Sequence, residues 1–169
     1  ENLFGGSDGI SFHLVDKGDM GPLFADVDIV SPNATGGILN DDTIPGIKAS
    51  IVCGAANNQL KEEARHARML HNAGVCYVPD FLANRMGIVN CANEQYGRMD
   101  DDPAIVRHIG YEWENAVYIR TRQIVEASRT SGRTTYEMAL EQARHMMEQP
   151  HPIWGNRSRE IIQAITLNR

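Results

Sequence analysis

Along the first half of the chain the apolar positions fall in short runs rich in β-branched residues; along the second half they recur every three or four residues. The clearest short run is Ala49-Ser50-Ile51-Val52-Cys53. A short apolar run closed by a turn signal predicts a buried strand. This one breaks into Gly54-Ala55-Ala56-Asn57-Asn58, and a helix is predicted after it, from about residue 62 to 72, stopped by Gly74. Strand, small-residue turn, helix is how open α/β sheets hold ligands at the carboxyl ends of their strands. Small residues let a ligand approach the backbone, and an asparagine offers both a donor and an acceptor. The same spacing equally describes a connection that binds nothing.

Three further runs read as strands: residues 10–15, 27–30 and 75–78. Strand, helix, strand spacing implies parallel neighbours joined by a right-handed crossover, so a parallel sheet of three to four strands is expected. A short helix is expected around Asp41-Asp42-Thr43-Ile44-Pro45, and Asp16 reads as the opening of a turn. Over residues 104–128 the apolar positions Ile105, Val106, Ile109, Trp113, Ala116, Val117, Ile124 and Val125 follow a period near 3.6, closed by Ser131-Gly132. Thr134 or Thr135, with Glu137, caps a next helix to about residue 148, and a last helix spans about 157–167. The expected fold class is α/β: a partial Rossmann-like parallel sheet with a helical carboxyl-terminal tail packed on it. Trp113, Met138, Met146 and Met147 read as core.

Charge narrows the partners. A net charge of -6 argues against a nucleic-acid partner or an anionic membrane surface, because phosphate binding needs a basic face. The arginines between residues 120 and 133 read as solvated helix faces. No apolar run approaches the roughly 18 residues of a membrane span, and Glu1-Asn2-Leu3-Phe4-Gly5-Gly6 lacks the regions of a signal peptide. Cys53, Cys76 and Cys91 show neither metal spacing nor an even disulfide count, and read as reduced, mostly buried thiols of a cytoplasmic protein. The chain reads as one domain over residues 24–169, preceded by a flexible or truncated segment, 1–23, that includes a glycine-rich end at residues 5–9.

Catalytic chemistry is scarce. His66 and His71 are five apart, a poor match to two ligands on one helical face, and His145 and His151 straddle a proline break, so no metal site is expected. No Gly-x-Ser-x-Gly turn supports a Ser-His-Asp triad, and Asp100-Asp101-Asp102 reads as a solvated loop. No general base or nucleophile stands out, so no catalytic residue is assigned. What remains is a set of small-residue and amide loops at strand ends.

Three of those loops occur in a telling order: Ser31-Pro32-Asn33-Ala34-Thr35-Gly36-Gly37, Gly54-Ala55-Ala56-Asn57-Asn58-Gln59-Leu60, and Val78-Pro79-Asp80-Phe81-Leu82-Ala83-Asn84. Together they resemble the carboxyl-terminal, nucleotide-binding half of the glutamate/leucine/phenylalanine/valine dehydrogenase family, more the leucine, valine and phenylalanine branch than glutamate dehydrogenase. The resemblance runs from about Phe24 to the end. It implies oxidative deamination of an L-amino acid to a 2-oxo acid and ammonia, with hydride passed to NAD or NADP, in an enzyme built as a homo-oligomer. It places Pro32, Ala34, Ala56, Asn57 and Asn84 at the cofactor: Pro32 and Ala34 along the dinucleotide, Asn57 at the nicotinamide ribose. It places Asn84, Gly87, Ile88 and Cys91 at the substrate, with Ile88 and Cys91 three apart on one helical face. An apolar substrate side chain is expected there, with Arg85 turned to solvent, where arginine is commonly found.

Two departures stand out. Where the family commonly has Asn-Ala-Gly-Gly, this chain has Asn84-Arg85-Met86-Gly87. The family's amino-terminal domain, which carries the catalytic lysine and aspartate, and the glycine-rich phosphate turn after it have no counterpart here. The chain is therefore expected to be a fragment of a larger enzyme or a shortened relative, inactive alone. The alternative is a binding or interaction module that kept the fold without the chemistry.

Overall fold

A computed structural model describes residues 10–94, 97, 101–149 and 157–167. Its centre is a three-stranded parallel sheet, β1 (Ile29–Val30), β2 (Ile51–Val52) and β3 (Cys76–Tyr77), in the order β1-β2-β3. Ile29 pairs with Ile51, and Ile51 with Cys76. Each strand is shorter than its apolar run, because the ladder regular on both sides spans only two residues. Single bonds such as Cys53 N–H to Val30 O at 3.0 Å extend it. A separate parallel bridge joins Leu39 to Leu60.

The crossover helix α1 (Glu63–Asn72) turns His66, Ala67 and Leu70 inward, a spacing that places them on one face. Gly74 ends it at φ 77°, a left-handed conformation that suits glycine. The core joins Val30, Val52 and Tyr77 of the sheet to Leu39, Leu60 and Leu70, and reaches back to Leu23 in a 3-10 turn at Gly21–Phe24. A second 3-10 turn, Ile44–Gly46, follows the Asp41-Asp42 break.

After β3 come α2 (Asp80–Ala83), α3 (Met86–Glu94), α4 (Pro103–Ile109), α5 (Val117–Ser131), α6 (Thr135–Glu148) and α7 (Arg157–Leu167). Helix α6 packs on β3, α1 and α5. Met138 and Ala139 of α6 meet Val78, Leu82 and Ile124 in a second apolar cluster. Gly132, at φ 67°, caps α5. Thr134 caps α6: its Oγ1 accepts from Glu137 N–H at 3.1 Å, while Glu137 Oε2 accepts from Thr134 N–H at 2.7 Å.

That capping box yields an expected result. Thr134→Ala should cost about 1 kcal/mol in urea denaturation. The N–H of Thr134 holds the Glu137 carboxyl below the usual carboxylate range against the opposing effect of burial, with the Thr134 hydroxyl and Arg68 assisting. A depressed folded value means the stabilisation is complete above the ordinary value of 4.5 and is lost as pH falls through the folded value. Glu137→Gln should therefore flatten the fall in melting temperature on acidification below about pH 4.5.

Several expectations are corrected. Residues 10–15 form no strand: Ile10, Phe12, Leu14 and Val15 are exposed. Among the described residues the alternating run has no sheet neighbour to pair with. Asp16 does open a turn, accepting Asp19 N–H at 3.0 Å. The 3.6-period stretch is two helices, interrupted over residues 110–116, although Ala116 stays buried. Residues 160–167 of α7 are all exposed, so that helix is not packed on the sheet as expected. Met138 is core, whereas Met146 and Met147 are exposed. Cys53 and Cys76 are half-buried and Cys91 is exposed, rather than mostly buried. Of the arginines, Arg122, Arg129 and Arg133 are exposed, but Arg120 is half-buried. The glycine-rich residues 5–9, Asp100 and His151 lie outside the described residues.

Candidate functional site

Parallel pairing brings three loops to one carboxyl edge, after Val30, Val52 and Tyr77. They meet closely because small residues permit it. A Cβ on Gly54 would stand 2.1 Å from the carbonyl oxygen of Pro32, and one on Gly36 would stand 2.7 Å from that of Asn57. With no side chain in the way, Ala56 N–H donates to Pro32 O at 3.0 Å and Gly37 N–H to Asn58 O at 2.7 Å. Asn58 sits at φ 53°, a left-handed conformation that asparagine tolerates. Underneath, the buried amide of Gln59 donates to Gly54 O at 2.8 Å and Ala56 O at 2.9 Å, bracing the turn from within.

On the solvent side, side-chain amides connect the loops. Asn33 Oδ1 accepts from Ala55 N–H at 2.8 Å. From beyond β3, Asn84 Nδ2 donates to Ala55 O at 3.3 Å and to Asn57 Oδ1. Asp80 Oδ2 accepts from Asn58 N–H. The network fixes both amide orientations. Asn84 must turn its nitrogen toward the Ala55 carbonyl, and Asn57 must then turn its oxygen toward Asn84. Asn57 Nδ2 and Asn84 Oδ1 are left without partners among the described residues, an open donor beside an open acceptor.

Of the expected cofactor residues, the structure brings Pro32, Ala34, Ala56, Asn57 and Asn84 to this edge. Pro32 and Ala56 are buried, whereas Ala34 and Asn57 are exposed. Asn33, Asp80 and Gln59 hold the edge together and were missed as site residues. Asn33 lies inside the quoted loop, and Asp80 follows the proline that ends a strand, so both had a local signal. Gln59 had none beyond its place after the asparagines.

The expected substrate residues are less gathered. Gly87 N–H donates to Asn84 O at 2.9 Å, so α3 starts directly from the amide edge. Gly87, Ile88 and Cys91 are exposed, Ile88 at 77%. They share a helical surface that no described residue encloses. Arg85 is half-buried rather than turned to solvent: its Nη2 donates to the carbonyl oxygen of Asn115, ahead of α5.

Other groups do not supply missing chemistry. Asp41, Glu62 and His66 place their ligand atoms within 4.8 Å of one another. His66 Nδ1, however, accepts the Glu62 N–H at 2.7 Å. The neutral ring therefore carries its proton on Nε2, which faces Asp41 Oδ2 at 3.5 Å and has no lone pair for a cation. Arg65 already engages both carboxylates, at 2.5 Å and 3.2 Å. Burial pushes the Cys53 and Cys76 thiols up, away from reactive thiolates.

Comparison with known proteins identifies relatives of this chain. The model of a family described as Glutamate/Leucine/Phenylalanine/Valine dehydrogenase matches residues 11–147. L-tryptophan dehydrogenase of Nostoc punctiforme is 41% identical over 114 residues, 68% of this chain and 30% of that protein. Leucine dehydrogenase of Bacillus cereus is 38% identical over 112 residues, 66% of this chain and 28% of its own. Phenylalanine dehydrogenase of Lysinibacillus sphaericus is 50% identical over 70 residues. The crystal structure of the Nostoc enzyme superposes with a TM-score of 0.63 at 37% identity, covering 73% of this chain and 34% of that one. The chain thus spans about 30% of the length of the curated relatives it matches.

Proposed function

This chain belongs to the glutamate/leucine/phenylalanine/valine dehydrogenase family, and on that premise we propose that it is the carboxyl-terminal, nucleotide-binding part of an NAD- or NADP-dependent amino-acid dehydrogenase. The reaction is oxidative deamination of an apolar L-amino acid to a 2-oxo acid and ammonia. The observation that carries this reading is the pair Asn57 and Asn84, with an open donor and an open acceptor at the carboxyl edge of a parallel sheet. That edge is where a Rossmann-type sheet holds a dinucleotide.

The nicotinamide, when bound, supplies the hydride chemistry. The chain's own residues bind and orient. Asn57 Nδ2 is suited to donate to a ribose hydroxyl, and Asn84 Oδ1 to accept from a carboxamide or from the substrate amine. Ala34 offers exposed backbone groups without partners among the described residues, and buried Pro32 fixes the loop beneath them. Ala56, whose N–H is taken by Pro32 O at 3.0 Å, sets the height of the turn. Gly87, Ile88 and Cys91 present an exposed, mainly apolar surface to the substrate side chain. Two features favour an apolar substrate over an acidic one. The Arg85 guanidinium is directed to Asn115 and not to Ile88 or Cys91, and the relatives are named for leucine, tryptophan and phenylalanine. A cytoplasmic homo-oligomer completes the proposal.

The test is equilibrium titration with NADH and NADPH. Saturable binding of one of them is expected, weakened about three- to tenfold by Asn57→Ala and by Asn84→Ala, the worth of one lost hydrogen bond. Binding of neither nucleotide, or affinity untouched by both substitutions, overturns the reading.

A further inference from the structure

Positive charge gathers in this acidic chain around the start of α5. Arg120, in the first turn of that helix, sends Nε to Asn115 Oδ1 at 2.9 Å, with Nη2 on the same oxygen, and Nη1 to Gln123 Oε1 at 3.1 Å. Arg85 arrives from the turn ahead of α3 and bonds the backbone carbonyl of the same Asn115. Its Nη2 lies 3.5 Å from His108 Nδ1. The His108 ring meets Trp113 edge-on at 4.7 Å, and Arg107 lies 4.4 Å over Trp113.

Asn115 thus holds two guanidiniums together through its two carbonyl groups, and every acceptor in the cluster is neutral. Among the described residues no carboxylate pairs with Arg85, Arg107 or Arg120. Glu112 and Glu114 closely precede Asn115 in sequence but are exposed and bond none of the three. The Nε–H of Arg85 is buried without an acceptor. Burial, Arg85 and Arg107 push His108 below its ordinary value, and no acidic group opposes them. Helix α5 adds to the field: its N-cap is Ala116, without a side-chain cap, and no acidic residue stands in its first turn.

Converging guanidinium forks beside free helix N–H groups are the complement of an oxyanion. We propose that Arg85, Arg120 and the amino end of α5 form a binding site for a phosphate-sized oxyanion, borne by a small molecule as a phosphate or a carboxylate. The site does not rest on the dehydrogenase reading, since its residues lie outside the Asn57–Asn84 pair.

The test is calorimetric titration of the full chain with inorganic phosphate at low ionic strength, with succinate in parallel. Saturable one-to-one binding is expected, weakened at least about tenfold in Arg120→Gln by loss of a charge-assisted contact. Arg122→Gln makes the same charge change on the same helix and should stay within about twofold, because screened surface charge contributes little. In the unaltered protein, the His108 titration midpoint followed by NMR should rise when phosphate saturates the site, because an anion favours imidazolium. Tighter phosphate assigns the ligand as a phosphate ester, and tighter succinate as a carboxylate. Unsaturable binding, equal weakening in Arg120→Gln and Arg122→Gln, or an unmoved His108 midpoint overturns the proposal.

Discussion

Gly54→Ala is expected to lower the stability of this chain by about 3 kcal/mol or more and to abolish nucleotide binding with it. The added methyl would stand 2.1 Å from Pro32 O and 2.5 Å from Pro32 N, both backbone atoms that cannot swing aside. Relief requires parting the loops after β1 and β2. That motion breaks the Ala56-to-Pro32 bond and draws Gly54 O away from Gln59. Gly87→Ala is the matched control. Nothing lies within 4 Å of its new methyl, and it sits in α3, so it should stabilise by about 0.5–1 kcal/mol. Guanidinium denaturation of the two variants measures both effects. A Gly54→Ala protein within about 1 kcal/mol of the parent would show that the close approach does not govern the edge.

The second large effect concerns turnover. The 169-residue chain, tested alone with NAD or NADP and L-leucine, L-valine or L-phenylalanine, should produce no measurable reduced nucleotide. The open groups at the amide edge belong to asparagines, which neither take nor give a proton near neutral pH. Among the described residues, the carboxylate bonded to that edge, Asp80, already accepts the Asn58 N–H. General acid–base help, typically worth about 10²–10⁴-fold, is therefore missing even if cofactor and substrate meet. A spectrophotometric assay decides it. Steady NADH formation that scales with protein and disappears in Asn57→Ala would prove this expectation wrong.

What could be read from the residues, and what could not, divides along a physical line. Helix α1 was placed to within one residue, and the Thr134–Glu137 box marked the start of α6, because caps and 3.6-period faces are local. The run at residues 10–15 misled, because alternation states a preference for pairing and says nothing of whether a neighbouring strand is there. The interruption between α4 and α5 was hidden, because Trp113 and Ala116 keep the helical period while the backbone turns. Asn57 and Asn84 were singled out through the family resemblance; their contact spans 27 positions, which no spacing rule reaches. Arg85 shows the limit most clearly. Its exposure depended on Asn115, 30 residues further on, where nothing in the local sequence announces a partner.

The bonds between the strand-end loops bear on motion as well as on shape. Ala55, Ala56, Asn58 and Gly37 each give their N–H to a group on another loop or side chain. Exposed turns closed in this way should exchange their amide hydrogens slowly, as a strand does rather than as a surface loop does. Their backbone order, about 1–2 kcal/mol per residue in conformational entropy, is established when the chain folds. A ligand arriving at this edge meets a surface already set, so its affinity is not reduced by having to order these loops.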